Sequence, residues 1–287
     1  MPRLTVTLID VGAGDSLFIE AEDRQGATSY ALIDSNDEPN WRSTEIFLLR
    51  HLQRRQLAYG SPNRLFEFVL LTHAHSDHMS GLKRLLQELG TEWFYYPESA
   101  ASVEFANLIA YVTRSANLPN GRVRRHQIVN NQTQLPPLGD ASLHVLWPPP
   151  TPAGQPYDPG NPNNNSVVLG IRLDRVKLLL SGDCEAPNWP QILPSIRPTL
   201  RFFKVPHHGA HNGLFDNQGN AVWNGLLNAA RTYAGLSTHI SPHGHPDANV
   251  IQALEAAIGG RVYRTDNNYH VTFETRGRTE KVKFSRF

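Results

Sequence analysis

The sequence predicts a layered α/β fold made of two comparable halves. Short apolar strands and amphipathic helices occur in two similar batches along the 287 residues, with no short-period repeat and no clear linker. Hydrophobic residues make up 40% and charged residues 18%, which is enough apolar material for a large core. We therefore expect a single domain that covers 1–287.

Three strand-like segments open the chain. They are rich in apolar residues and separated by turn residues, among them Gly-Ala-Gly-Asp at 12–15, which predicts a hairpin-rich sheet. Residues 43–56 then carry Ile46, Leu49 and Leu52 at helical spacing, which predicts an amphipathic helix. The elements predicted for the first half are strands at 4–10, 16–20, 29–34, 65–72, 92–96 and 143–147, and helices at 43–56, at 81–90 with Ser80 as its cap, and at 101–116.

The proline-rich stretch 148–165 divides the two halves. It contains seven prolines, which excludes regular structure, and it is too long for a plain connector. Segments 166–173 and 176–183 follow as strands joined by an Asp-Arg pair, which predicts a hairpin. The other elements predicted for the second half are strands at 200–206, 232–237, 261–265, 269–275 and 280–285, and helices at 220–230 and 248–258.

Charge and hydrophobic pattern narrow the class of protein. The formal charge is +1, so no overall field would gather nucleic acid or acidic lipid. No run of about 18 apolar residues and no signal-peptide pattern occurs, which argues against a membrane segment and against export. Cys184 is the single cysteine and cannot form an internal disulfide, so we expect a cytoplasmic protein with a packed thiol.

A cluster of metal-ligand residue types follows the strand at 65–72. The segment Thr-His-Ala-His-Ser-Asp-His contains His73, His75, Asp77 and His78. In an extended or tightly turned loop, the first two histidines project to one side and the last two residues reach a second point a few ångströms away. One hexapeptide can thus serve two metal ions, and its ligand types suit Zn²⁺, Mn²⁺ or Fe²⁺. The alternative is a histidine-rich surface loop without a metal.

Two further strands end in the same kinds of residues. Asp183 ends the strand at 176–183, and His207 and His208 directly follow the strand at 200–206. Strand ends gather at one rim of a sheet, where α/β proteins build their sites. These residues can supply the bridging carboxylate and the additional ligands that a centre with two metal ions requires.

Several motifs resemble a known family. The segment "THAHSDH" resembles the HxHxDH signature of the metallo-β-lactamase superfamily. The ordered set "VGAGDS", "YALIDS", "NNNSVVLGI", "LLLSGD", "KVPHHGA" and "GHPDA" is similar to the carboxy-terminal hydrolase domain of ComEC-type DNA-uptake proteins. This resemblance covers nearly the whole chain. It implies an αββα sandwich, in which two mixed sheets pack between helices.

The resemblance also implies a metal-dependent hydrolase. Two divalent ions would activate a hydroxide as the nucleophile, with Zn²⁺ as the expected ion and Mn²⁺ as the alternative. Such family members also place aspartates near the site, and Asp15 and Asp34 match them as orienters of ligand histidines. The alternative for Asp15 is an ordinary turn aspartate. The implied metal ligands are His73 and His75 for the first ion, Asp77 and His78 for the second, Asp183 as the bridge, and His207 or His208 to complete the shells.

One family ligand is missing from this chain. Many members carry a histidine upstream of the Gly-Asp pair, where this sequence has Asn-Pro-Asn-Asn-Asn-Ser at 161–166. Asparagine is a poorer ligand than histidine, so the first ion would depend on one of the paired histidines or bind more weakly. His144 could replace the missing ligand, although it is more simply explained as a strand histidine.

Other polar residues are candidates for contacts with substrate. We expect Asp77 and His245 to act in catalysis, His245 by approaching the metals or the leaving-group oxygen, with His243 and His211 as weaker candidates. We expect Asn165, Arg124 and again His245 to contact substrate. Arg124 belongs to the basic segment 121–127 with Arg122 and Arg125, which could follow a nucleic-acid backbone, while Trp93, Tyr95 and Tyr96 could stack on bases. The alternative is a solvated strand edge and core aromatics.

The function predicted from these features is a phosphodiesterase or nuclease acting on DNA or another nucleic acid. The alternative is a hydrolase of a small ester, lactone or phosphocholine substrate. A third hypothesis, from a different class, is a metal-stabilised scaffold or sensor without catalysis. Because ComEC-type domains are tethered to a membrane channel and no such segment occurs here, we also expect a separately encoded protein partner.

Overall fold

The computed structural model describes residues 1–60, 63–100, 102–196, 200–223, 225–239 and 244–286. Its strands form two mixed sheets that pack face to face. The strands are β1 (Arg3–Leu8), β2 (Leu17–Glu22), β3 (Thr28–Ile33), β4 (Phe66–Leu70), β5 (Thr91–Tyr96), β6 (Val123–Ile128), β7 (Ser142–Trp147), β8 (Val168–Leu173), β9 (Val176–Leu180), β10 (Phe202–Lys204), β11 (Tyr233–Leu236), β12 (Val262–Arg264), β13 (His270–Thr275) and β14 (Glu280–Ser285).

The helices cover the outer faces of the two sheets. The longer ones are amphipathic, and several single-turn helices occupy loops. The helices are α1 (Ser43–Arg55), α2 (Ser76–Met79), α3 (Leu82–Leu89), α4 (Val103–Ala116), α5 (Trp189–Ile192), α6 (His211–Leu214), α7 (Ala248–Ile258) and α8 (Thr265–Asn268).

The larger sheet has eight strands in the order β14-β13-β1-β2-β3-β4-β5-β6. Its first five strands pair antiparallel, and β3 to β6 run parallel. The smaller sheet has the order β12-β11-β10-β9-β8-β7, antiparallel from β7 to β9 and parallel from β9 to β12. The two halves of the chain thus each contribute a hairpin-rich part and a parallel part to the sandwich.

Three hydrophobic cores hold the layers together. The central core lies between the sheets and includes inward-facing residues of β1, β10 and β13, such as Val6, Phe202 and Phe273. A second core joins the larger sheet to α1, α3 and α4, and a third joins the smaller sheet to α5 and α7. This arrangement is the predicted αββα sandwich, which the structure confirms.

The element predictions are correct in most places. Strand β6 was not predicted, and a 3-10 helix at Pro162–Asn165 lies in the stretch predicted to lack regular structure. Three further predictions differ from the structure. The described residues of 220–230 form turns rather than a helix, and their apolar side chains pack into the third core from a loop. Helix α1 is observed, but it buries Leu48 and Leu52, while Ile46 is 40% exposed. Gly81, not Ser80, precedes α3, because the additional helix α2 ends at Met79 and Ser80 is its C-cap.

The predicted hairpin of the second half is observed. Strands β8 and β9 pair antiparallel with Leu173 opposite Val176, so Asp174 and Arg175 form the two-residue turn. Within the described ranges, no helix is both long enough and apolar enough to span a membrane.

Candidate metal centre

The loops after five parallel or adjoining strands meet at one rim of the sandwich. Asp34 follows β3 and His73 follows β4, both in the larger sheet. Asp183, His208 and Ser237 follow β9, β10 and β11 of the smaller sheet. Because both sheets direct the carboxyl ends of these strands to the same rim, residues distant in sequence converge there.

Two histidines and two aspartates form a compact cluster at this rim. His78 Nε2 and His208 Nε2 each lie 3.2 Å from Asp183 Oδ2 and 3.3 Å from each other. Asp77 Oδ2 lies 3.5 Å from His208 Nε2 and 3.8 Å from His78 Nε2. One ligand atom from each of these four residues lies within 4.8 Å of the others, so the four could hold a single metal ion.

Hydrogen bonds at Nδ1 fix the orientation of both imidazoles of this cluster. Nδ1 of His78 lies 2.8 Å from Asp34 Oδ2, and Nδ1 of His208 lies 3.0 Å from the carbonyl oxygen of Ser237. Both acceptors require a proton on Nδ1, which leaves Nε2 of each ring directed into the cluster. This is the orientation required of a histidine that binds a metal through Nε2.

His73 and His75 form a pair beside the four-residue cluster. His73 Nε2 lies 3.0 Å from His75 Nδ1, and the rings of His73 and His78 have centroids 4.1 Å apart. Burial, reinforced by the charge of His78, lowers the pKa of His73 well below its usual value. His73 is therefore neutral at physiological pH, the state in which an imidazole can bind a metal.

The carboxylates and imidazoles shift one another's pKa values strongly. Burial alone would raise the pKa of Asp77, but the charge of His78 and a hydrogen bond from His208 hold it well below its usual value. Burial alone would lower the pKa of His208, but the adjacent Asp183 outweighs it and raises that pKa to about 10. For the same reason the pKa of His78 lies well above its usual value. The metal-free cluster thus retains protons that a bound cation would displace.

The ligand atoms have the spacing that a small divalent ion requires. In a tetrahedral site with metal–nitrogen bonds of about 2.0 to 2.1 Å, neighbouring ligand atoms are about 3.3 Å apart. The two nitrogen–nitrogen distances, 3.3 Å for His78 and His208 and 3.0 Å for His73 and His75, agree with this spacing. Asp183 Oδ1 is buried, accepts no hydrogen bond from the described residues and lies 3.8 Å from Lys204 Nζ. The four-residue cluster therefore fits one divalent ion, and His73 and His75 have the spacing of two ligands of a metal.

A buried lysine lies beneath the cluster, and the sequence analysis missed it. Lys204 Nζ forms an ion pair with Asp15, lies 3.8 Å from Asp183 Oδ1 and donates to the carbonyl oxygen of Gly182 at 3.3 Å. Asp15 is 3.7 Å from His208 Nδ1, farther than Asp34 is from His78, so its main partner is the lysine. The alternation of "FFKVP" at 202–206 was the available signal, because Lys204 occupies an inward position between buried residues.

The structure separates the paired histidines. Both residues have left-handed backbone conformations, with φ of 49° and 50°, which direct their side chains to different places. His208 joins the cluster, whereas His207 Nε2 lies 3.3 Å from the side-chain nitrogen of Asn163. His207 thus lines the cavity outside the four-residue group, and of the two histidines expected to complete the shells, His208 is the one in the cluster.

A cavity of about 670 Å³ opens above the cluster. His245 lines it, as predicted, and its ring centroid is 5.4 Å from that of His207. His144 and His211 are exposed and do not line it, and His243 lies outside the described residues. The polar lining residues that the sequence did not indicate are Asn36, Glu38, Ser76, Thr238 and His239, and Asn163 of the 161–166 segment also lines the cavity.

Asn165 and Arg124 do not reach this cavity. The amide of Asn165 is 2% exposed and bonds to the backbone of Asp158 at 2.7 and 2.8 Å, so it stabilises its own loop. Arg124 lies on the edge strand β6 and contacts Glu92 at 3.4 Å. Neither residue lines the cavity, whereas Asn163, two residues before Asn165, does.

The other residues expected to bind a nucleic acid also have structural roles. The guanidinium of Arg122 donates to three backbone carbonyl oxygens, those of Gln87, Asn63 and Glu88. Tyr95 and Tyr96 are buried, and Arg125 lies over the ring of Trp93, 5.2 Å from its centroid. Cys184 is fully buried, and burial raises the pKa of its thiol, which agrees with a packed thiol.

Two known sequence groups are similar to this chain. A model of the beta-lactamase superfamily domain matches residues 38–208. ComE operon protein 3 of Bacillus subtilis (strain 168) is 24% identical over 285 residues, which cover 95% of this chain and 33% of that protein. The chain thus spans about a third of the length of this relative.

Two solved structures are similar to this chain, and the first of them shows a similar fold. Zn(2+)-bound PqqB from Methylobacterium extorquens has a TM-score of 0.51 at 13% identity, over 91% of this chain and 97% of that chain. A long form RNase Z from yeast has a TM-score of 0.44 at 14% identity, over 83% of this chain and 37% of that chain. Since the family match spans more than half of the sequence and includes the histidine and aspartate cluster, the chain belongs to the metallo-β-lactamase superfamily, in its ComEC-like branch.

Proposed function

We propose that this chain is a metal-dependent phosphodiesterase that acts on nucleic-acid strands. Proteins with the metallo-β-lactamase fold are generally hydrolases that use divalent metals, typically zinc. The observation that carries the proposal is the position of Asp183, whose Oδ2 contacts two fixed imidazoles while its buried Oδ1 accepts no hydrogen bond from the described residues. A carboxylate placed in this way can bridge two cations.

The side chains divide into two ligand sets around Asp183. His73 and His75 would hold one ion, and Asp77, His78 and His208 would hold the other. When bound, two such ions supply an activated water and neutralise the non-bridging oxygens of a phosphodiester.

The imidazoles above the cluster have a separate role. Those of His207 and His245 line the same cavity, with His239 on its wall. We assign His245 the proton transfer to the leaving-group oxygen, because it faces the cavity without belonging to the four-residue cluster.

The shape of the surface supports a strand as the substrate. Glu38 and Ser76 line both the metal cavity and a neighbouring groove of about 410 Å³. That groove also contains Arg42, Lys83 and Arg84. The two depressions adjoin, and a chain of phosphates could extend from the cluster toward these cations. The resemblance to ComEC-type DNA-uptake proteins favours the same class of substrate.

A substrate panel tests this proposal. Metal-replete protein is assayed with single-stranded DNA, single-stranded RNA, bis(p-nitrophenyl) phosphate, p-nitrophenyl acetate, a lactone and a phosphocholine ester. We expect cleavage of a nucleic acid and of the model phosphodiester, with activity lost in Asp183→Asn. Turnover of the acetate, lactone or phosphocholine ester without nucleic-acid cleavage would replace the proposal with the small-molecule hydrolase. Metal binding without any turnover would favour the scaffold or sensor.

A further inference from the structure

A short turn of asparagines lies between the two ligand loops. Its 3-10 helix runs from Pro162 to Asn165. Ser166 Oγ, directly after the turn, accepts a hydrogen bond from the backbone of Asp183 at 3.1 Å, and the amide of Val167 donates to the carbonyl oxygen of Thr72 at 2.9 Å. The turn is therefore tied to both the loop that bears the bridging carboxylate and the loop that bears the histidine motif.

Hydrogen bonds fix the orientation of the Asn163 side chain. Its Nδ2 donates to Glu185 Oε1 at 2.9 Å and approaches His207 Nε2 at 3.3 Å. The other oxygen of Glu185 accepts from Asn161 Nδ2 at 3.0 Å, which holds the carboxylate in place. Because a carboxylate can only accept hydrogen bonds, the amide nitrogen must face Glu185 and the amide oxygen must face away from it.

The amide oxygen of Asn163 is buried and has no hydrogen-bond partner among the described residues. The residue is 7% exposed, and its Oδ1 accepts no hydrogen bond from any described residue. Asn163 lines the same cavity as His75 and Asp183. Buried acceptors are nearly always satisfied in proteins, and an unsatisfied one beside a metal-ligand cluster indicates a missing ion or water.

We propose that Asn163 Oδ1 is a ligand of the metal ion held by His73 and His75, an inference that rests on the proposed metal-dependent function. In this chain the amide oxygen takes the place of the histidine that many superfamily members carry upstream of the Gly-Asp pair. Glu185 and His207 are then positioning residues, since they hold the nitrogen end of the amide. This explains why His207 faces Asn163 rather than the cluster.

The proposal has a consequence for the choice of metal. An amide oxygen is a harder ligand than an imidazole nitrogen, and oxygen ligands suit Mn²⁺ and Mg²⁺ better than they suit Zn²⁺. The site with His73, His75 and Asn163 should therefore discriminate less strongly for Zn²⁺ over Mn²⁺ than a site with three histidines. Asn163→His should increase the preference for Zn²⁺.

Metal binding, rather than catalysis, tests this assignment. Wild-type protein and Asn163→Ala are stripped of metal and titrated with Mn²⁺ and with Zn²⁺ by equilibrium dialysis with elemental analysis, and the Mn²⁺ spectrum is followed by electron paramagnetic resonance. Asn165→Ala is the matched control, because it removes a buried amide of the same turn that does not line the cavity. Thermal unfolding of each metal-free variant shows whether it is folded.

We expect two ions per wild-type chain and two per Asn165→Ala. In Asn163→Ala one of the two should bind more weakly by more than about tenfold, since even residues behind the ligands change affinity by that factor. Double variants identify which ion is weakened. If His75 and Asn163 bind the same ion, adding Asn163→Ala to His75→Ala should change the metal affinity little further. In His208→Ala, by contrast, Asn163→Ala should weaken the ion that remains.

The results separate this inference from the proposed function. If Asn163→Ala binds two ions with wild-type affinities, the ligand assignment is wrong but the proposed function stands. The partner of Oδ1 in the wild type would then be a water molecule. No metal uptake by the wild type would overturn both proposals. If Asn163→Ala is unfolded, Asn163→His provides the test, because an unchanged ratio of Zn²⁺ to Mn²⁺ affinity in that folded variant would contradict the assignment.

Discussion

Asp34 fixes the imidazole of His78, with 2.8 Å between Asp34 Oδ2 and His78 Nδ1. Both side chains are fully buried. Thr72 anchors the carboxylate in turn, through its backbone amide at 2.7 Å and its hydroxyl at 2.6 Å. A ligand imidazole is therefore held by a buried carboxylate that has its own fixed donors, and little reorganisation is needed when a metal binds.

Removing this support should weaken the adjacent metal site. We predict that Asp34→Ala raises the dissociation constant of the ion bound by Asp77, His78 and His208 by about 10- to 100-fold, as is typical for loss of a carboxylate behind a ligand histidine. Calorimetric titration with Zn²⁺ measures the change. Asp140→Asn, at a partly exposed position outside the cavity, is the control. Equal affinities of Asp34→Ala and the wild type would show that Asp34 does not orient His78.

The buried ion pair of Lys204 and Asp15 should matter for stability. Lys204→Met removes the ammonium group that both Asp15 and Asp183 face. The two carboxylates then remain buried without that positive charge. We predict a loss of about 3 to 5 kcal/mol in the free energy of unfolding, the usual cost of breaking a buried pair on one side. Urea unfolding of the metal-free protein measures it. The double variant Asp15→Asn/Lys204→Met should recover part of the lost stability. If Lys204→Met is as stable as the wild type, the ion pair does not stabilise the fold.

Metal binding should release protons and strengthen with pH. In the metal-free protein the pKa of His208 is raised to about 10, so this imidazole is protonated at neutral pH. A metal ion must displace that proton, so the apparent affinity should rise as the pH is increased from about 6 to 9. Calorimetry in two buffers with different enthalpies of ionisation counts the released protons. An affinity that is constant over this range would contradict the predicted protonation state.

The groove beside the cavity should contribute to binding of a strand. We predict that Arg42→Ala/Lys83→Ala weakens binding of single-stranded DNA and reduces its salt dependence by about 1.4 in the slope of log K against log salt, about 0.7 for each lost phosphate contact. Hydrolysis of bis(p-nitrophenyl) phosphate should be unchanged. The control is Arg124→Ala/Arg125→Ala on β6, which lies outside both depressions. Equal slopes for the groove variant and the wild type would exclude this path for the strand.

The local sequence pattern predicted the layered α/β class and the strand ends that carry the candidate site, while the αββα sandwich followed from the family resemblance. Strand ends can be located from apolar runs, and a parallel strand must deliver its next residue to the carboxyl rim. For this reason Asp183 and the histidine motif could be placed together although they lie more than 100 residues apart. Their ligand types then indicated a metal centre without knowledge of distances.

Other features of the site depend on the directions of side chains, which the sequence pattern does not specify. His207 and His208 are neighbours in sequence, and only their left-handed backbone decides which of them enters the cluster. Similarly, Asn163 and Asn165 are chemically equivalent, and hydrogen bonds to Glu185 and Asp158 decide which one lines the cavity. Segment 220–230 has the apolar spacing of a helix, but its described residues form turns. These turns already place its apolar side chains in the third core, so a helix is not needed to bury them.

The most direct test of the central claim is a metal titration of phosphodiester hydrolysis. Protein stripped of metal is titrated with Mn²⁺ or Zn²⁺ while cleavage of bis(p-nitrophenyl) phosphate is followed, with Asp77→Ala as the comparison. That variant removes a carboxylate of the cluster whose side chain is 38% exposed, so it should remain folded. We predict no hydrolysis without metal, a rate that saturates near two equivalents, and no hydrolysis by Asp77→Ala. Hydrolysis that survives metal removal, or a fully active Asp77→Ala protein, would contradict the claim.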